Sequence, residues 1–140
     1  TWRGPYPAPV LATQLEQVAV GLTGAHELLL SISADDEQHR RALAAERRFL
    51  EVGAIHLASA ANQIRFIARR SDPGAIAAIL DAEEDLARRL LHLQWVDSRI
   101  GYEASNHYYY TALDLIEKVV NCADVRRRVI DPVGATAPTS

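Results

Sequence analysis

Glu103 and His107 stand four residues apart, so a helical turn would place both on one face, and a carboxylate beside an imidazole is a start toward a divalent metal site. Asp97 and His92 are near enough in sequence to add ligands. The same stretch, DSRIGYEASNHYYY from Asp97 to Tyr110, carries four of the five tyrosines, and Trp95 lies just before it. These residue types suit a second chemistry. Trp95, Tyr102, Tyr108, Tyr109 and Tyr110 offer ring faces for the apolar C–H faces of sugars, while Arg99, Glu103, Asn106 and His107 offer partners for hydroxyl groups. A third reading needs no ligand: the rings form a small second core, Asp97 pairs with Arg99, and Asn106 caps a short helix. Two ligands at one spacing make little of a metal site, and the Glu-x-x-His pair of di-iron bundles is missing, so no metal or other cofactor is expected.

The remaining chemical groups are less promising. His26 and His56 fall on or near apolar helical faces, where a hydrogen-bonded core histidine is the ordinary outcome, and His39 lies among charges near a helix start. Glu83 and Glu84 are adjacent on a helix and point to different sides, so they cannot flank one glycosidic bond. Glu83 sits near the apolar stripe of its helix and is expected to pair with an Arg of a neighbouring helix at the core edge. Cys122, the single cysteine, has Val119, Val120 and Val125 around it and reads as a buried thiol. No nucleophile triad, phosphate-binding glycine loop or dinucleotide fingerprint is present. No catalytic residue is expected in this chain.

The elements that position these groups read as helices. Val10, Leu11, Leu15, Val18, Leu22, His26, Leu29 and Leu30 recur at helical spacing after Pro9, with Gly21 and Gly24 either weakening the helix or admitting a close neighbour. Ser33, Asp35 or Asp36 can cap the next helix. In it Leu43, Leu50, Ala54, Leu57, Ala61, Ile64 and Ala68 form a heptad-like seam with small residues at about half the positions, and Gly53 could mark a bend. Asp72 and Pro73 open a third helix whose inward face is Ile76, Ile79, Leu80, Glu83, Leu86, Ala87, Leu90 and Leu93 or Gln94. Thr111 and Asp114 resemble a capping box opening a fourth, with Leu113, Ile116, Val119 or Val120, Ala123 and Ile130 facing inward. Nothing reads as a strand. The expected architecture is an all-α, up-down-up-down antiparallel four-helix bundle over residues 9–130, with an extended segment at 1–8, a linker or tail at 131–140, and a long structured connection between the third and fourth helices.

Composition fits one soluble domain. Of 140 residues 49% are hydrophobic and 24% charged. The net charge of −3 is built from short basic doublets beside acidic residues, so nucleic acid is not an expected partner. Arg126, Arg127 and Arg128 lie near a helix end, where cations complement the macrodipole. No apolar run is long enough to span a bilayer, so no membrane role is expected. The absence of methionine, the proline-rich start and the linker-like end suggest a piece of a longer polypeptide.

The run DSRIGYEASNHYYYTALDLIEKVVNC, Asp97 to Cys122, resembles the C-terminal helical region of large bacterial proteins of the glycoside-hydrolase type, and DAEEDLARRLLHLQWV resembles it more loosely. The resemblance implies a carbohydrate-active parent whose catalytic residues lie mainly in another domain; the sequence itself leaves the location of a soluble chain unknown, with the bacterial cytoplasm slightly favoured. This chain would then be a non-catalytic accessory domain, meeting the catalytic domain or a carbohydrate through the 97–110 connection. The alternative is a protein-interaction or oligomerisation module, with a homo-oligomer as one form, and no carbohydrate role.

Overall fold

The computed structural model describes residues 4–103, 108–109 and 111–130. They form an all-α four-helix bundle of α1 (Ala8–Leu30), α2 (Glu37–Arg69), α3 (Pro73–Val96) and α4 (Ala112–Val129). Successive helices pack antiparallel, as the paired ends show: Arg47 near the start of α2 donates to the Leu29 carbonyl at the end of α1 at 3.1 and 2.7 Å, and Arg89 of α3 reaches Glu51 of α2 at 3.2 Å. Between α3 and α4 a two-residue antiparallel pair, Tyr102–Glu103 with Tyr108–Tyr109, adds extended backbone where helical spacing alone suggests none.

The helix starts follow from local chemistry. Asp36 and Asp72 accept from the amides of His39 and Ala75, each satisfying a donor that the first turn leaves open, and Pro73 occupies the first position of α3. Thr111 and Asp114 form a reciprocal capping box at α4. Arg126, Arg127 and Arg128 lie in the last turn of α4, beside its exposed carbonyls.

The core is a chain of small clusters. Ala12 of α1 meets Ala61 and Ile64 of α2; Ile55 of α2 meets Leu90 and Leu93 of α3 and Leu115 of α4; Ile76 and Leu80 of α3 meet Cys122 of α4. Alanines at the α1–α2 contact bring the two backbones close, because no side-chain bulk separates them. At Gly53, inside a continuous α2, a Cβ would stand 3.0 Å from Leu22 Cδ1, so this glycine serves the close approach of α1.

Two of the expected faces are corrected. On α1 the fully buried residues are Ala12 and Ala19, with Leu11, Leu15, Leu22 and Leu29 half-buried, while Val10, Val18 and Leu30 are exposed. On α4 the expected inward residues Leu113, Ile116, Val120 and Ala123 face outward, Leu113 at 70% exposure, and Leu115 and Cys122 are buried instead. The α4 sequence carries two apolar stripes about a third of a turn apart. Lys118 shares the inner one, and its contact with Glu83 selects that stripe.

The bundle is open along its length. α1 packs on α2, α2 on α3 and α3 on α4, and no Cα of α1 comes within 8 Å of α3 or α4, nor one of α2 within 8 Å of α4. Side chains alone bridge the space between α2 and α4, with α3 as its floor.

Candidate functional site

That α2–α4 groove contains the buried polar centre of the protein. Glu83, on the inward face of α3, is only 4% exposed. Its Oε1 accepts from Asn62 Nδ2 at 2.9 Å and its Oε2 from Ser59 Oγ at 2.9 Å. Lys118 Nζ crosses from α4 to Glu83 Oε2 at 2.5 Å and donates to Ser59 Oγ at 2.7 Å. Gln63 Nε2 reaches the same hydroxyl at 3.3 Å. A carboxylate this deep is tolerated only with a counter-charge and nearly complete hydrogen bonding; α4 supplies the charge through Lys118, and α2 supplies the hydrogen bonds from Ser59 and Asn62. The expected partner of Glu83 is an arginine; the structure supplies a lysine, whose flexible side chain, 30% exposed, spans the gap.

Two cavities flank Lys118. One of about 430 Å³ is lined by Phe66, Ile67, Ile79, Leu80, Cys122 and Val125 around Glu83 and Asn62. The other, about 230 Å³, includes His56, Ser59, Leu86 and Leu90. Burial, aided by the Lys118 charge, holds the His56 imidazole below its usual range and favours the neutral ring. Burial pushes the Cys122 thiol up, with the carboxylates of Glu83 and Glu84 adding to it against Lys118 and Arg126. A protonated thiol is a poor nucleophile, so Cys122 acts as core.

The residues singled out around the 97–110 connection are placed unevenly. Trp95 is at the end of α3 with 72% of its surface exposed, and Val96 beside it is exposed as well. Arg99 pairs with Asp97 through Nε at 2.9 Å and Nη2 at 2.7 Å, and this pairing lowers the Asp97 carboxyl below the usual carboxylate range. Arg48 of α2 approaches the same carboxylate at 3.6 Å. Among the described residues the buried Arg48 Nε has no hydrogen-bond partner. The backbones of Tyr102, Glu103, Tyr108 and Tyr109 form the short strand pair. Glu103 is thus extended rather than on a helical turn, the geometry on which its i,i+4 pairing with His107 rested. Asn106, His107 and Tyr110 lie outside the described residues, as does any cap by Asn106. Among the described residues no three His, Cys, Asp or Glu side chains converge in a metal-binding set.

Sequence reading placed Glu83 inward but missed Ser59, Asn62 and Lys118. The signal available was small: Ser59 lies two positions from Ala61 in the seam, and Lys118 follows Leu115 by three. Spacing along one helix carries no information about which residue of another helix it meets.

Exposed apolar surface is the second feature of the protein. Val10, Gln14, Gln17, Gly21, Gly24 and Leu28 succeed one another on α1 by four, three, four, three and four residues, a heptad-like seam without a charge. It lies away from α2, and a Cβ at either glycine would meet nothing within 4 Å. The outer stripe of α4, including Leu113, Ile116 and Val120, is exposed too. No helix of the described residues is long and apolar enough to cross a membrane. Compared with known proteins, the chain matches no family model, no curated protein and no solved structure.

Proposed function

We propose that this domain is an oligomerisation module in which the outer seam of α1 packs against a second copy. The observation that carries the reading is that α1, a 23-residue helix with no Lys or Arg and only Glu16 and Glu27 as acidic residues, packs on α2 alone among the described helices. The face turned away from α2 is uncharged, with Val10 and Leu28 at its ends and glutamines and glycines between them. The glycines of the seam permit close helix approach, and the absence of charge removes like-charge repulsion between two identical faces. Sedimentation equilibrium tests it. The mass should exceed the 15.4 kDa of one chain, and Leu28→Glu, at a position 71% exposed, should restore 15.4 kDa without loss of helicity. A wild-type monomer across the accessible concentration range would overturn the reading.

A second reading keeps the glycan-accessory role, in which the chain serves a glycoside-hydrolase-like parent. The exposed indole of Trp95 favours it, because a ring face presented to water beside the Asp97–Arg99 pair is the geometry that sugar stacking uses. Trp95 fluorescence during titration with an oligosaccharide panel checks this role, and an unchanged spectrum across the panel counts against sugar contact.

A further inference from the structure

The larger cavity of the α2–α4 groove has the properties of a ligand site, and they stand independently of the α1 seam. Its volume of about 430 Å³ is enough for a small organic molecule. Phe66, Ile67, Ile79, Leu80 and Val125 make most of the lining apolar. The charged lining residues are Glu83, Asp114 and Glu117 against Lys118, three carboxylates and one ammonium, a net of −2. Lys118 is already engaged with Glu83 and Ser59, so it offers an incoming anion little, and such an anion would face the carboxylates. Glu83 Oε1 accepts from Asn62 and keeps a lone pair for a further donor.

We propose that this groove binds a hydrophobic organic cation, its apolar body against Phe66 and Leu80 and its ammonium directed to Glu83 Oε1 and Glu117. The arrangement combines apolar burial with a carboxylate that is held in place by Asn62 and Ser59 before the ligand arrives, so little ordering is needed on binding. The Phe66 ring adds a face on which a cationic group can rest.

The test is a titration of the ¹⁵N-labelled full chain with 2-phenylethylamine, with 2-phenylethanol and phenylacetate as the neutral and anionic counterparts of similar shape. The amine should shift the amides around Phe66, Leu80 and Val125 saturably. It should bind about tenfold more tightly than the alcohol, the factor that one opposite charge roughly 6 Å away gives at an effective dielectric constant of about 40. Phenylacetate should bind more weakly than the alcohol. Glu117→Gln, an exposed rim substitution, should remove at least half of the amine's advantage, and Val125→Trp should fill the cavity and abolish the shifts. Amine binding no tighter than alcohol binding in the wild type, or no saturable shift at all, overturns the proposal. So does undiminished amine binding in a folded Val125→Trp protein; should that variant fail to fold, the Glu117→Gln comparison decides.

Discussion

Replacing Lys118 with Met removes the counter-charge of Glu83 while keeping most of the stem that packs across the groove. Breaking a buried ion pair by deleting one partner costs about 3–5 kcal/mol, because the remaining charge is left in a poorly solvated site. Two features of this site set the expected loss at the lower end, about 3 kcal/mol: Lys118 is itself 30% exposed, and Glu83 keeps its hydrogen bonds from Ser59 and Asn62. Interpolating between smaller and larger domains, a chain of this size loses about 3–5 °C of melting temperature per kcal/mol, so the midpoint should fall by roughly 10 °C. Urea unfolding of wild type, Lys118→Met, Glu83→Leu and the double variant would close a double-mutant cycle. The expected coupling is about 2 kcal/mol, with the double variant no less stable than Lys118→Met alone, since it no longer buries an unpaired charge. A loss under about 1 kcal/mol for Lys118→Met, with coupling near zero, would mean that the pair behaves as a screened surface pair, and the account of why α4 presents its inner stripe would fail.

Three further outcomes follow from the packing and the titrating groups. Ala61→Leu, at a position 1% exposed where α1 and α2 meet through alanines, should cost about 1–3 kcal/mol by overpacking, and equilibrium unfolding that shows no loss would mean that the two helices are free to separate. His56 titrates below its usual range in the folded chain, so as pH falls through the unfolded value of about 6.5 the unfolded state takes up the proton first and stability declines. Thermal unfolding of His56→Gln between neutral and mildly acidic pH should show a shallower decline than wild type; equal slopes would remove His56 from the explanation. Cys122 should react with a thiol reagent far more slowly in the folded protein than in denaturant, and equal rates would show that α4 does not cover it.

Much of the bundle was legible because helix signals are local. Asp72–Pro73 and the Thr111–Asp114 box mark starts through side chains that satisfy their own amides, and the small-residue seam of α2 predicted a close neighbour, which α1 provides. The aromatic connection was legible as unusual; the Asp97–Arg99 pair within it follows from sequence proximity and is present. Its short strand pair was not legible, because two residues on each side carry no periodicity of their own.

The order of the four helices, their starts and the antiparallel sense of the first three were determined by the sequence itself, since the two short connections and local hydrogen bonding require nothing distant. Which stripe of α4 turns inward was decided only in three dimensions. Leu113, Ile116 and Val120 form as regular a face as Leu115, Val119 and Cys122, and apolar spacing along one helix ranks them equally. What separates them is Glu83 on another helix: a buried carboxylate requires a cation, and only the inner stripe brings Lys118 to it.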